Sequence, residues 1–256
     1  MQVDILTLFP GMFAAVLQES ILARAQKKGL LTVRTVDIRD FSENKHLKVD
    51  DYPYGGGAGM LMQVDVVSRA LKSVDAENAY VVYLSPQGKT LTNETAQRLA
   101  KNDHLVLLCG HYEGIDERIM QQVDEEISIG DYVLTGGELP AMIVLDAAAR
   151  FVPGVLGSDH SAEDESFHEN LLEYPQYTRP EVFEGEAVPE VLLSGHHANI
   201  ERWRREQSLK RTLLKRPELL LTHEFTPEDQ EIMEEMLFGF VPDKRRWRKK
   251  EKKEGE

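Results

Sequence analysis

The chain has 256 residues, of which 41% are hydrophobic and 29% are charged, and its formal net charge is −14. This composition is typical of a globular protein, and the length allows one large domain or two smaller ones. No apolar run reaches the roughly 18 residues of a membrane span, and the start lacks a basic signal-peptide region, so we expect no membrane partner. A single cysteine, Cys109, excludes an internal disulfide framework and predicts a cytoplasmic location.

Strands and helices alternate over the first 150 residues. The apolar and turn patterns predict strands at residues 2–9, 31–38, 79–84, 104–109 and 126–129. They predict helices from residue 10 to the stop at residue 29 and at residues 63–74, 93–101, 115–123, 197–212 and 227–238. The alternation predicts an α/β domain with a mainly parallel sheet.

The pattern changes after residue 154, where a polar and acidic segment begins. We expect an α/β domain over residues 1–157, a mobile interdomain loop over 158–178, a helical domain over 179–246 and a basic disordered tail over 247–256. Although the whole chain is acidic, residues 199–216 carry seven Lys and Arg against two Glu. Such a run can bind phosphates, but taken alone it is more often a solvated helix face, and both interpretations stay open.

Three glycine-bearing loops follow consecutive predicted strands, at residues 85–88, 110–114 and 129–137. Glycine lets the backbone approach a ligand closely, and the helix that Glu138 opens offers unpaired N–H groups. Loops at the carboxyl ends of parallel strands meet at one edge, so these three predict one composite small-molecule pocket. Each loop alone is more often an ordinary turn. No phosphate-binding fingerprint follows any strand, which leaves Lys89 as the one weak indication of an ATP site.

Seven segments taken together resemble the bacterial tRNA (guanine-N1)-methyltransferase family, of the trefoil-knotted SPOUT class. They are residues 50–60, 84–88, 108–118, 128–140, 150–154, 171–180 and 194–197. The resemblance extends from the first strand to about residue 220, and its motifs are long and ordered. It implies a SPOUT-type α/β fold with a mainly parallel sheet and a deep C-terminal trefoil knot, followed by a small helical domain.

The resemblance also implies an activity: methyl transfer from S-adenosyl-L-methionine to N1 of guanine 37 in tRNA with G at positions 36 and 37. Members of the family are homodimers with the active site at the interface. The implied cofactor contacts are Tyr83, Leu84, Ser85, Pro86, Gln87, Gly110, Glu113, Ile129, Gly130, Tyr132, Leu134, Gly136 and Gly137. The implied tRNA contacts are Asp50, Tyr54, Gly55, Gly57, Gly59, His196, His197, Arg202 and Arg205. Magnesium is associated with the reaction, but the sequence contains no recognisable metal motif.

Guanine N1 carries a proton that must leave before N1 can attack a methyl group. A carboxylate can take this proton, and a cation near O6 can stabilise the charge that develops. The resemblance implies an aspartate base just before Ser-Phe, where this chain has Glu165, preceded by Asp164; we favour Glu165, with Asp164 as the alternative. Arg150 matches the family cation, although a cation ending a helix is equally expected there. The remaining alternative function is that of a tRNA-binding protein without catalytic activity.

Overall fold

The structure is a computed structural model that describes residues 1–156 and 165–239. Contacts divide the chain into two compact units, Met1–Asp159 and His160–Glu256. The predicted tail and the first part of the predicted interdomain loop lie outside the described residues. The four predicted domain ranges therefore stay predictions. None of the described helices is both long and apolar enough to cross a membrane.

The first unit contains a five-stranded sheet in which every pairing between neighbours is parallel. The strand order is β2-β1-β6-β5-β7. The strands of the unit, including a short antiparallel pair β3-β4, are β1 (Gln2–Thr7), β2 (Thr32–Asp37), β3 (Asp50–Asp51), β4 (Leu61–Met62), β5 (Tyr80–Thr90), β6 (His104–Cys109) and β7 (Glu125–Ser128). The predicted α/β class with a mainly parallel sheet is confirmed, and the knot stays a prediction.

Helices cover both faces of this sheet, which is why its strands read as continuous apolar runs. The helices are α1 (Ala14–Gln18), α2 (Ser20–Lys27), α3 (Val64–Ser73), α4 (Asn93–Leu99) and α5 (Glu138–Ala149). Side chains alternate along β6: Leu105 and Leu107 pack in a core with α5, whereas Val106 and Leu108 pack in a second core with α3. The two cores therefore lie on opposite faces of the sheet.

Three elements of this unit differ from the prediction. The first predicted helix is broken, because Glu19 is extended and Ser20 has a positive φ of 53°. The helix predicted at residues 115–123 is a 3-10 segment, Glu117–Gln122. The turn predicted at residues 85–88 lies inside β5 as an irregularity in its pairing with β7. There, a Cβ on Gly88 would lie 2.5 Å from the Ile127 nitrogen, so only glycine allows this approach.

The second unit is mainly helical and has a small apolar core. Its elements are the hairpin β8 (Val182–Phe183) and β9 (Glu186–Ala187), followed by α6 (Glu190–Leu193), α7 (His197–Lys215) and α8 (Pro227–Phe238). The helix predicted at residues 227–238 is confirmed at both ends, and α7 is three residues longer than predicted. Leu171, Leu209 and Ile232 form the buried centre of the unit. So few apolar residues leave much of the stability to polar contacts.

Asp229 is the centre of those polar contacts. Its carboxylate is fully buried and accepts hydrogen bonds from Arg205 Nε at 2.6 Å and Nη2 at 2.8 Å. It also closes a capping box with Thr226 at the start of α8. Burial alone would raise the pKa of Asp229, but the hydrogen bonds from Arg205 and Thr226 hold it well below the ordinary value. The ionised carboxylate therefore joins α7 to α8.

We expect Asp229→Asn to destabilise the second unit by about 3 kcal/mol, because it leaves Arg205 without its buried partner. Since the folded state lowers this pKa, wild type should lose the contribution as the pH falls below about 4, whereas the variant has none to lose. Urea unfolding at pH 7 and pH 3, followed by tryptophan fluorescence, measures both effects, because Trp203 lies on α7 of this unit.

The matched control is Asp65→Asn, which removes an exposed ion pair with Arg69 and should cost well under 1 kcal/mol. Equal effects of the two substitutions would contradict the role assigned to Asp229.

Candidate active site

One cavity of about 290 Å³ opens at the carboxyl edge of the parallel sheet. Because β5, β6 and β7 run in the same direction, the irregular part of β5 and the loops that follow β6 and β7 meet there. All thirteen residues predicted to contact the cofactor line this cavity: Tyr83, Leu84, Ser85, Pro86, Gln87, Gly110, Glu113, Ile129, Gly130, Tyr132, Leu134, Gly136 and Gly137. The structure thus brings the predicted set together, while the contacts themselves stay predictions.

The second and third loops are joined by direct backbone contact. The N–H of Gly137 donates to the carbonyl of Gly110 at 2.8 Å. A Cβ on Gly137 would lie 2.7 Å from the Cα of Cys109, and a Cβ on Gly110 would lie 2.7 Å from the hydroxyl of Tyr83. No side chain fits at either position without moving its neighbours. These glycines therefore bring the start of α5 against the end of β6 and shape the cavity floor.

The cavity lining is acidic. Glu113, Glu117 and Glu126 contribute carboxylates, and none of the described residues that line the cavity is a lysine or arginine. Burial, with the charges of Glu126 and Glu117, raises the pKa of Tyr83 to about 12, so its hydroxyl keeps its proton at neutral pH. The cavity thus favours a ligand that carries positive charge.

Several lining residues were not predicted from the sequence. They include Glu117, Glu126, His111, Tyr112, Met120 and Pro140. Glu126 lies on β7, in the strand that precedes the third loop. Its pairing with Tyr83 on β5 brings it to the cavity. His111 and Tyr112 belong to the second loop itself, so their position between Gly110 and Glu113 was an available signal.

The loop between β3 and β4 lies beside the second cavity loop. Backbone hydrogen bonds of 3.0 Å run from Glu113 N to Met60 O and from Met62 N to Gly114 O. Together with β3, this loop carries five of the residues predicted to contact tRNA: Asp50, Tyr54, Gly55, Gly57 and Gly59. The side chain of Tyr54 is fully exposed. A macromolecule bound to this loop would therefore lie next to the small-molecule cavity.

The predicted catalytic residues fall in different units. Arg150 caps the end of α5 in the first unit. Glu165 lies in the second unit, in a cavity of about 600 Å³ that Arg204 and Tyr174 also line, and Asp164 lies outside the described residues. The guanidinium of Arg204 lies 4.8 Å from the centre of the Tyr174 ring. The choice between Glu165 and Asp164 as the base stays a prediction.

The remaining predicted tRNA contacts lie on α7 or next to it. His196 and His197 are exposed at its amino end. Arg202 pairs with Glu235 of α8 at 2.9 Å, and Arg205 is bound to Asp229. The structure therefore gives both arginines a role in joining the two helices, which the sequence did not reveal. The lysines of α7, Lys210 and Lys215, are exposed.

Comparisons with known proteins place the chain in a family. The family model described as tRNA (Guanine-1)-methyltransferase TrmD matches residues 1–222. A protein of Syntrophomonas wolfei is 57% identical over 238 residues, covering 93% of this chain and 98% of its own. A protein of Ruminiclostridium cellulolyticum is 60% identical over 223 residues, covering 86% and 96%.

A third relative, from Halalkalibacterium halodurans, is 55% identical over 238 residues, covering 91% of this chain and 97% of its own. All three relatives are named tRNA (guanine-N(1)-)-methyltransferase. The family match and the alignments with these relatives include the cavity loops and most of the helical unit. The chain therefore belongs to the tRNA (guanine-1)-methyltransferase TrmD family.

Proposed function

We propose that this protein transfers the methyl group of S-adenosyl-L-methionine to N1 of guanine 37 in tRNA, in the cytoplasm. The observation that carries the proposal is the cavity, because it is lined by every residue predicted to contact the methyl donor. Membership of the family and the names of the relatives support the reaction class. The position in the tRNA and the catalytic residues are inferences from the resemblance and from the chemistry.

The charge of the cavity suits this donor. S-adenosylmethionine supplies a methyl group on a positively charged sulfur, and the lining contributes Glu113, Glu117 and Glu126 without a lysine or arginine. A nucleoside triphosphate would bring several negative charges to the same surface, which Coulomb repulsion disfavours. The acidic lining therefore argues against the ATP-using rival. Lys89, its only candidate cation, is absent from the lining residues.

The glycine loops suit the uncharged part of the donor. Backbone N–H and C=O groups of the third loop, other than the Gly137 N–H that already donates to Gly110, can reach the edge of an adenine. Leu134 and Tyr132 add apolar surface to the same cavity. Such a lining distinguishes adenine from other bases by hydrogen bonding and holds the donor in one pose.

We assign the general base to Glu165 and the cation near guanine O6 to Arg150. The carboxylate takes the N1 proton, and the guanidinium stabilises the negative charge that develops on O6. Glutamate reaches one methylene further than the aspartate that the resemblance implies, so the loop around Glu165 has to sit slightly further from the base. Among the described residues, no group of three or more His, Cys, Asp or Glu could hold a metal ion, and we derive no step through magnesium.

Two surfaces support tRNA as the substrate: one adjoins the donor cavity, and the other carries exposed lysines. The loop that carries Asp50 and Tyr54 adjoins the donor cavity, while α7 presents Lys210 and Lys215 to solvent. Cations on α7 can contact the phosphate backbone and position the tRNA. The target base has to leave its stack in order to enter the cavity beside the donor.

A homodimer is supported by an apolar face of the first unit. Leu139 and Ile143 of α5 are each nearly half exposed, as is Met12 on the adjoining 3-10 turn Pro10–Phe13. Val16 on α1 is a further exposed apolar residue. Contiguous exposed apolar surface of this kind is typical of an interface. Because α5 begins at the cavity floor, a partner on this face would lie close to the donor.

The reaction itself is tested with labelled S-adenosylmethionine and unmodified tRNA that carries G at positions 36 and 37. We expect incorporation that mass spectrometry of the nucleosides identifies as 1-methylguanosine and that disappears when G37 is replaced by A. Isothermal titration should detect binding of S-adenosylhomocysteine and none of ATP. Donor binding without incorporation would favour the non-catalytic rival.

Glu165→Gln should lower kcat by about 10²-fold to 10⁴-fold, because the amide cannot accept the N1 proton. The Kd for S-adenosylhomocysteine should stay unchanged, since the substitution removes an interaction made only in the reaction. Asp164→Asn is the matched control and should retain most of the activity. The reverse pattern would assign the base to Asp164.

Ile143→Lys should raise the dimer dissociation constant by at least tenfold, because it buries an unpaired charge in the apolar face. Analytical ultracentrifugation measures this, with circular dichroism to verify the fold. Leu47→Lys, an equally exposed residue on a loop, should leave the association unchanged. A monomeric wild type would contradict the proposed assembly.

A further inference from the structure

Four side chains of the first unit form a continuous contact next to the donor cavity. The guanidinium carbon of Arg39 lies 5.1 Å from the centre of the Phe9 ring. The rings of Phe9 and His111 have centroids 5.0 Å apart, and those of His111 and Tyr112 are also 5.0 Å apart. Phe9 is 37% exposed and Tyr112 is 44% exposed. We name this group the aromatic rim.

The aromatic rim adjoins the donor cavity through His111 and Tyr112, which are among its lining residues. His111 Nδ1 is buried and has no hydrogen-bond partner among the described residues. Its position is next to Gly136 of the third loop, because a Cβ there would lie 2.7 Å from Nδ1. A buried polar atom without a partner is costly, so a ligand in the cavity is the natural source of one.

The backbone holds the aromatic rim in place, and one of its residues has an unfavourable backbone conformation. Tyr112 has a positive φ of 60°, a conformation that side chains other than glycine adopt rarely and that is often retained for function. Phe9 is positioned from the other side: its N–H donates to Thr7 Oγ1 at 2.9 Å, and Thr7 donates in turn to the buried Glu138 at 2.8 Å. Since Glu138 follows Gly137 directly, the rim and the third donor loop share one support.

We propose that the aromatic rim binds an unstacked base of the substrate tRNA, with the exposed rings of Phe9 and Tyr112 as the stacking surface and Arg39 as its cation. The inference rests on the proposed function and adds Phe9, Arg39 and His111 to it. Aromatic rings interleaved with arginine are the usual means of holding unpaired bases. The N–H of Glu113, the residue after Tyr112, donates to the carbonyl of Met60 at 3.0 Å, which joins the rim to the loop predicted to contact tRNA.

His111 then lies between the two ligands. Its ring supports the stacking surface, while Nδ1 lies next to Gly136 of the third loop, which lines the cavity. A ring that contacts both sites fixes the distance between base and donor, and reaction rates depend steeply on such positioning. We therefore expect Phe9 and His111 to affect different ligands when each is substituted.

Phe9→Leu should raise the Kd of a tRNA anticodon stem-loop about tenfold, since base stacking on one ring contributes that much. Phe9→Trp keeps a ring and should bind nearly as wild type. His111→Phe keeps the ring but removes Nδ1, so it should weaken S-adenosylhomocysteine binding several-fold and leave RNA affinity unchanged. Filter binding of the RNA with saturating S-adenosylhomocysteine, together with isothermal titration of the latter, measures these constants without turnover.

Phe41→Leu is the matched control, because the ring of Phe41 packs against the second core of the same unit and is absent from the rim. It should lower the melting temperature without changing RNA affinity. The proposal is overturned if Phe9→Leu leaves the RNA Kd within twofold, or if it weakens dimerisation instead, which would assign the ring to the subunit interface. Failure of the wild-type protein to methylate tRNA would contradict the proposed function. The effect of Phe9→Leu on the RNA Kd is measured without turnover and therefore tests the aromatic rim separately.

Discussion

Close backbone contact between the third loop and the end of β6 is the constraint on which the site depends. Gly137 lies so near Cys109 and Gly110 that no side chain can intervene, and its N–H is bonded to the Gly110 carbonyl. This contact fixes where α5 begins, and with it Glu138, Thr7 and Phe9. The cavity floor, the support of the aromatic rim and the start of the apolar face of α5 therefore have one common origin.

The donor cavity and α7 carry local charges of opposite sign, which suit different ligands. The cavity concentrates three carboxylates, which suit the proposed cationic donor, whereas α7 exposes lysines, which suit a polyanion. Both can operate on a chain with net charge −14, because salt screens charges more than about 10 Å apart. Net charge alone would have argued against a nucleic acid partner, and the local distribution reverses that conclusion.

The helical unit uses its charges differently. Arg202 and Arg205 are occupied by carboxylates of α8 and by Glu169, so part of the basic run on α7 holds the unit together. Among the described residues of the unit, three are buried at the centre of its apolar core, so the unit depends on this pairing. The same helix thus has a structural face toward α8 and an exposed face with Lys210 and Lys215, and the sequence pattern alone does not separate them.

Apolar runs, glycines and strand ends are local signals, so the sequence by itself determined the fold class and a composite pocket at the strand ends, whereas the resemblance to the family supplied the thirteen residues around the cavity. It also located α8 to the residue, through Thr226, Pro227 and Gly239. Tertiary structure alone decided that Glu126 reaches the cavity, that residues 85–88 lie inside β5, and that Phe9 meets His111 across about one hundred residues. Those relations depend on strand pairing and on the approach of distant backbone segments, which no local pattern of residues encodes.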